Sequence, residues 1–230
     1  MRTVLLAGAT GLIGIELLAR LLRDESFDGR VVAPTRRAIG LTHPKLVNPV
    51  IDALDLNDLQ VLDQIAQAGI EAVDTFACCL GSTIRKAGSR AAFEAVDRGL
   101  VLRWARVART RGARQALLVS SVGADPDSRA FYLRVKGEVE RDLGQLGYPR
   151  IDVLRPGQLL GERSESRPIE RLAQTAARFY GPWLTGSLSR YRGIDAATVA
   201  TAMAQLIREH GSAGDRIHHH DEMQALAAPR

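Results

Sequence analysis

Residues 1–22 read MRTVLLAGATGLIGIELLARLL, and the order of their parts decides the fold. Residues 3–7 form an apolar run of strand length, Gly8, Gly11 and Gly14 follow directly, and a helical pattern opens within that glycine spacing. Each glycine has its own physical reason. Gly8 lets the chain leave the strand in a conformation that a Cβ penalises. Gly11 removes bulk where backbone must approach a pyrophosphate, and Gly14 lets the helix sit close to the strand. The first N–H groups of the helix then face the phosphates. Such a triplet also occurs in tight βα turns that hold nothing, but its place at the first strand-to-helix joint favours a dinucleotide site. Thr10, Leu12 and Ile13 complete the turn and are assigned to the cofactor with the three glycines.

Working outward, 230 residues suit one domain with a sizeable core. The expected division is a dinucleotide-binding core over residues 1–160 and a smaller substrate-covering portion over residues 161–230. Cys78 and Cys79 are adjacent, which gives neither a redox pair nor a metal-ligand spacing and points to a reduced, cytoplasmic setting. No apolar run approaches the about 18 residues of a membrane span, so no membrane partner is expected. The net charge is +5, and residues 85–114 carry nine Lys or Arg. These are spread through a helix without aromatic interleaving, which reads as a solvated face rather than a nucleic-acid surface. His218, His219 and His220 suggest metal, but neighbours on an extended segment point to opposite faces. A surface or edge-strand reading is preferred there, with no metal site.

The following segments alternate between strand and helix. A second strand over residues 30–33 runs into Pro34-Thr35-Arg36-Arg37. At this position a dinucleotide fold meets the adenosine ribose, where an acid binds a 2′-hydroxyl and arginine accommodates a 2′-phosphate. There is no acid, and the guanidinium fork matches phosphate bidentately, so Arg36 and Arg37 argue for NADP, with NADPH preferred over NADH. A third strand over residues 46–51 ends at Asp52 and Ala53. Asp52 either takes the adenine amino group, with Ala53 packed on the ring, or caps the next helix over residues 56–68; both readings stand. A fourth strand over residues 72–79 ends in Leu80-Gly81, beside the nicotinamide half of the cofactor. Beyond a helix over residues 90–111 come a fifth strand at 115–120 and a helix reaching about residue 143, capped by Asp127 or Ser128. A sixth strand over residues 150–154 ends in Arg155-Pro156-Gly157. This alternation indicates an α/β fold, a Rossmann-like doubly wound parallel sheet. The tail is expected as a polar loop (162–168), a helix (169–179), a loop (180–193), a helix capped by Asp195 (196–210) and a last strand (217–223). Arg163 and Arg167 of the polar loop either clamp an anionic substrate or belong to a plain polar lid.

Tyr132 and Lys136 are four apart on a predicted helix and share one face, and Ser121 ends the preceding strand at the edge that carries the glycine turn. Only three of the 31 Lys and Arg residues are lysines, so Lys136 stands against the compositional drift. The triple suits hydride transfer at a carbon bearing oxygen. A phenol is a poor base at neutral pH, and an adjacent ammonium stabilises its charged form. Ser121 holds the substrate oxygen, while Lys136 also holds the nicotinamide ribose.

These residues resemble the short-chain dehydrogenase/reductases. The glycine spacing is similar to that of the extended and atypical branches, and Ser121, Tyr132 and Lys136 match the family's catalytic serine, tyrosine and lysine. CCLGSTIRKAG at residues 78–88, YLRVKGEVE at 132–140, LRPG at 154–157 and ESRP at 165–168 resemble the Tat-interacting-protein-like oxidoreductases that bind NADPH. The resemblance implies NADP-dependent oxidoreductase chemistry on a small-molecule substrate. It places Arg155, Pro156 and Gly157 beside the nicotinamide and makes a homodimer possible. It departs from the pattern of many relatives at two points: Asp97 lies in the helix that carries a catalytic asparagine there, with no asparagine in it, and the gap from Ser121 to Tyr132 is short. Two other functions stay open: an NADP(H)-sensing regulatory protein without turnover, and an epimerase or dehydratase on a nucleotide sugar. A sensor needs the glycine turn but not the phenol, and sugar-modifying enzymes usually carry a larger substrate domain.

Overall fold

The computed structural model of the protein describes residues 2–160, 186–209 and 211–228. The expected polar loop with Arg163 and Arg167, and the helix over residues 169–179, lie outside the described residues. Strand β1 (Arg2–Ala7) leads through the glycine turn into α1 (Leu12–Arg23), and β2 (Gly29–Val32) returns beside β1. The chain continues through β3 (Leu46–Val47), α2 (Asp58–Gln67), β4 (Thr75–Cys78) and a short α3 (Ile84–Ala87). Next come α4 (Arg90–Glu94), a π-helical turn (Ala95–Leu100) and α5 (Val101–Thr110), then β5 (Gln115–Val119), α6 (Phe131–Gly144) and β6 (Arg150–Leu154). The short pair β7 (Leu159–Leu160) and β8 (Ile194–Asp195) precedes α7 (Ala196–Arg208), β9 (Gly214–His218) and α8 (His220–Ala227).

Seven of these strands form one parallel sheet in the order β3-β2-β1-β4-β5-β6-β9. The order reverses between β1 and β4, which opens a crevice at the carboxyl ends of those two strands. Strand alternation sorts the core into two layers. Val4 and Leu6 face Leu17 and Leu21 of α1 with Met203 and Ile207 of α7. Leu5 and Ala7 face Val61 and Ile65 of α2, Val107 of α5 and Leu143 of α6. This is the doubly wound arrangement that the alternation of elements predicts.

Several boundaries differ from the sequence reading for identifiable reasons. Regular pairing in β3 stops at Val47, because Asn48 turns its amide to Ala33 O (2.6 Å) and accepts from Ile39 N (2.9 Å), and Pro49 has no N–H for a ladder. A single bridge from Thr35 to Val50 is what remains of the expected strand. Helix α2 is capped by Asn57, whose side chain accepts from Gln60 N at 2.9 Å while Gln60 reciprocates at 2.9 Å; Asp52 is not its cap. Neither Asp127 nor Ser128 caps α6, which starts after Ala130 with no side-chain cap. Asp195 stands at the N-cap of α7 but makes no side-chain bond there.

The last strand lies earlier than expected, at Gly214–His218, and the histidine run turns into a helix. His218 is buried on this edge strand, 3.0 Å from Asp152, which also accepts from Arg150 Nε at 2.6 Å and Gln115 Nε2 at 3.0 Å. His220 pairs with Asp221 at 2.8 Å. No group of three metal-ligating side chains occurs among the described residues. Ile194, Val199, Met203 and Met223 share a core layer with Val4 and Leu17, so the described part of the tail builds the main body of the fold.

The turn after β1 is fixed by backbone meeting backbone. Gly8 has φ +84°, and a Cβ there would lie 2.6 Å from the Cys79 carbonyl carbon and the Leu80 nitrogen. A Cβ on Gly14 would collide with the Gly8 carbonyl oxygen, whereas one on Gly11 would meet nothing nearer than 3.4 Å. Gly14→Ala is therefore expected to lose more than about 2 kcal/mol of unfolding free energy in urea melts. Gly11→Ala, at an extended N-cap position, is expected to stay within about 1 kcal/mol of the parent.

Candidate functional site: a cofactor groove and a Tyr-Lys-Asp cluster

The carboxyl edge of the sheet gathers most of the residues singled out in the sequence. Beside α1 and the end of β2 a cavity of about 790 Å³ is lined by Thr10, Thr35, Arg36, Arg37, Ala38 and Asp52, among others. Both guanidinium groups are exposed, and neither makes a hydrogen bond or ion pair among the described residues. Asp52 borders the same space, held only by a 3.4 Å contact from Leu54 N. Ala53 does not border it: this side chain is buried beside Val32 and Ile51, which corrects the expectation that it packs on an adenine ring. Ile13 is likewise packed into the core, leaving only its backbone for a ligand.

Next along the edge is the start of α1. Its N-cap is Gly11, with no side-chain cap and no acidic residue in the first turn, so its leading N–H groups and the positive end of its dipole are left for an anion. Nothing in the protein requires glycine at position 11 on steric grounds. The turn therefore fits a dinucleotide: Gly8 and Gly14 close it internally, and Gly11 keeps its outer side clear.

The candidate cluster sits where β4, β5 and α6 meet. Tyr132 lies in the first turn of α6 and Lys136 one turn on, with Lys136 Nζ 6.0 Å from the Tyr132 ring centroid. Lys136 is only 5% exposed and Asp97 is fully buried, and their charged atoms are 2.8 Å apart. Burial pushes the Asp97 carboxyl above its ordinary range, and the ammonium draws it only part of the way back. Burial acts to lower the Lys136 ammonium, but Asp97 and then Tyr132 more than offset it, and the net direction is upward. The other oxygen of Asp97 accepts from Ser82 N at 2.9 Å, just past the end of β4. A Cβ on Gly81 would stand 3.8 Å from Lys136 Nζ and 3.9 Å from Asp97 Oδ1, in ordinary contact with the buried pair. Phe93, four residues before Asp97, stacks on Tyr132 with centroids 5.7 Å apart.

The two adjacent serines have different surroundings. Ser120 is buried and donates to Glu140, which also receives both Nε and Nη2 of Arg155. Ser121 is half-buried, its hydroxyl 3.3 Å from the Val122 carbonyl. The loop after Ser121 is pinned to neighbouring segments by Val122 N to Pro156 O (2.9 Å) and Asp125 N to Leu133 O (3.1 Å). It crosses α6 at Gly137, where a Cβ would collide with the Asp125–Pro126 backbone. That crossing accommodates the short chain between Ser121 and Tyr132. Arg155 is engaged by Glu140 through its side chain, and Gly157 is required by the Arg192 and Tyr191 backbone packed against it. Neither feature needs a nicotinamide to explain it. Burial pushes the Cys78 thiol up to about 12 and raises Cys79 in the same way, which disfavours the thiolate form of both.

The basic stretch over residues 85–114 is tied to its neighbours. Arg98 pairs with Glu138 and Asp142, and Arg103 and Arg106 pair with Asp58. The sequence reading placed Asp97 in the right helix but not its partner. It missed Phe93 and Gly137 altogether. The one available signal for Phe93 was its place four residues before Asp97, on the same helical face.

Comparison with known proteins follows the same ground. A model of the NAD dependent epimerase/dehydratase family matches residues 4–138, a span that runs from β1 past Tyr132 and Lys136. Protein HTATIP2 of Rattus norvegicus is 37% identical over 211 residues, covering 92% of this chain and 83% of its own. The Candida albicans protein named FMP52, mitochondrial, is 33% identical over 202 residues, 86% of each chain. Among solved structures, the Bordetella bronchiseptica enzyme WbmH in complex with NAD+ superposes with a TM-score of 0.67 at 15% identity, over 95% of this chain and 75% of its own. The expected cytoplasmic setting is corrected by these relatives, since several similar fungal proteins are named mitochondrial. No helix among the described residues is long and apolar enough to cross a membrane.

The buried pair sets a stability test. Removing one partner strands a charge in the interior, which costs about 3–5 kcal/mol, while replacing both is close to neutral. Lys136→Met is expected to fall in that range in chemical denaturation, and adding Asp97→Asn is expected to restore most of the loss.

Proposed function

The chain belongs to the NAD dependent epimerase/dehydratase family, and we propose that it acts within it as an NADP-dependent oxidoreductase on a small carbonyl or hydroxyl compound. The observation that carries this reading is the placement of Lys136 Nζ 6.0 Å from the Tyr132 ring centroid, buried at the carboxyl edge of the sheet. A sensor of cofactor alone has no need of a phenol held against an ammonium at that edge.

In this reading the N–H groups at the start of α1 hold the pyrophosphate, and Arg36 and Arg37 hold the 2′-phosphate. Asp52 takes the adenine amino group, and Lys136 takes the nicotinamide ribose. Leu80 and Gly81 lie beside the nicotinamide half, with Pro156 and its neighbours behind them. When bound, NADPH supplies a hydride to the carbonyl carbon. Tyr132 donates its phenolic proton to the carbonyl oxygen as charge grows there, so a carbonyl becomes a hydroxyl; in the opposite direction the phenolate takes that proton back. Ser121 orients the same oxygen through its hydroxyl. Lys136 favours the charged form of the phenol electrostatically.

The family's description also names epimerases and dehydratases. An epimerase returns the hydride it removes, so net consumption of NADPH by a carbonyl compound separates the two chemistries.

Two outcomes test the proposal. Titrated into the protein and followed by nicotinamide fluorescence, NADPH is expected to bind more tightly than NADH. Arg36→Ala is expected to weaken NADPH about tenfold while leaving NADH unchanged; equal affinity for the two cofactors in the parent contradicts the NADP assignment. Tyr132→Phe is expected to bind NADPH as the parent does and to lose about 100-fold or more of any carbonyl-dependent NADPH oxidation.

A further inference from the structure

Asp97 is a fully buried carboxylate on a π-helical turn, and it has two engagements. One oxygen meets Lys136 Nζ at 2.8 Å, and the other accepts from Ser82 N at 2.9 Å. It thereby joins the catalytic helix to the end of β4. Stability alone does not explain the pair, because apolar side chains of similar volume in its place are often neutral or stabilising. Nor does the composition favour a lysine there, since only three of 31 Lys and Arg residues are lysines.

The geometry around the pair has a direction. Gly81 presents no side chain toward either group, and a Cβ there would stand 3.8 Å from Nζ and 3.9 Å from Oδ1. Asp97 Oδ1 lies 2.8 Å from the ammonium as an ion pair without hydrogen-bond geometry, and no other acceptor engages Lys136 among the described residues. The N–H donors of the ammonium are left for hydroxyl groups. Phe93, one turn before Asp97, packs on the ring of Tyr132. The π turn at Ala95–Leu100 adds a residue to that turn of the helix and lies between the Phe93 contact and the rest of the rod. One segment therefore braces both the phenol and the ammonium.

We propose that Asp97 is the positioning residue of the site, holding Lys136 so that its N–H donors meet the ribose hydroxyls at the nicotinamide end of the groove. This rests on the oxidoreductase reading above and deepens it. Asp97 touches neither cofactor nor substrate and acts through Lys136. Its effect is confined to the nicotinamide half of the cofactor, a restriction that a purely structural ion pair does not impose.

The test compares NADPH with adenosine 2′,5′-bisphosphate, which has the adenosine and the 2′-phosphate but no nicotinamide ribose. Both are titrated by calorimetry into the full-length parent and Asp97→Asn, a variant that keeps an acceptor for Ser82 N. The expected result is about a tenfold loss of NADPH affinity, the worth of a charge-assisted hydrogen bond, with the bisphosphate unchanged. Equal weakening of both ligands, or no change in either, overturns the proposal. If the parent binds neither ligand, the oxidoreductase reading itself fails and takes this proposal with it, a result visible before any variant is made. Should Asp97→Asn not fold, the parent labelled with 15N-lysine serves instead. Its Lys136 ammonium resonance, assigned by eliminating the others with Lys45→Arg and Lys86→Arg, is expected to be protected from solvent exchange and to move with NADPH but not with the bisphosphate. An unprotected signal, or one that NADPH leaves in place, overturns the proposal.

Discussion

Backbone packed directly on backbone at the end of β1 is the constraint on which the rest of the structure depends. Gly8 lies so close to Cys79 and Leu80, and Gly14 so close to Gly8, that no side chain fits at either position. This contact brings the start of α1 over the crevice between β1 and β4, where the strand order reverses. The uncapped start of α1, two arginines without partners among the described residues and the Tyr132–Lys136 cluster then lie along one edge. A wider turn would displace α1, and with it the layer formed by α1 and α7.

The second constraint is electrostatic. A lysine buried to 5% exposure is tolerated only with a charged partner close by, and that partner comes from a different helix, through an irregular turn. The cost of desolvating two charges is accepted at the carboxyl edge, next to the phenol, and not in the apolar layers beneath. A comparable cluster of buried polar groups, Asp152 with Arg150, Gln115 and His218, serves a different end. There every partner lies on the same strand or a neighbouring one, and the carboxyl group is held below its ordinary range because the hydrogen bonds from His218, Arg150 and Gln115 outweigh the effect of burial. The contrast between a satisfied strand network and a lysine with donors to spare is what separates architecture from chemistry in this molecule.

What could be read in advance was whatever depends on short-range rules. The roles of Gly8 and Gly14 follow from local sterics, and the pairing of Tyr132 with Lys136 follows from helical periodicity. Ser121 was read from its place at the end of the fifth strand, on the edge that carries the glycine turn. The partnership of Asp97 with Lys136 was not legible, because it depends on how two helices approach across the sheet. Ala53 was misjudged for a related reason: it is small because protein packs against it, and in one sequence that looks the same as room left for a ligand. The histidine run was placed on a strand too far along, since an edge strand with one wet face carries little of the apolar alternation that marks a central one.

The proposed function places NADP(H) along the carboxyl edge from Arg36 to Lys136. A crystal structure of the protein grown with NADPH tests it most directly. The 2′-phosphate is expected within hydrogen-bond distance of Arg36 or Arg37, the pyrophosphate against the first N–H groups of α1, and the nicotinamide ribose on Lys136 Nζ. Cofactor density anywhere else on the molecule, or a ribose held without Lys136, would contradict it.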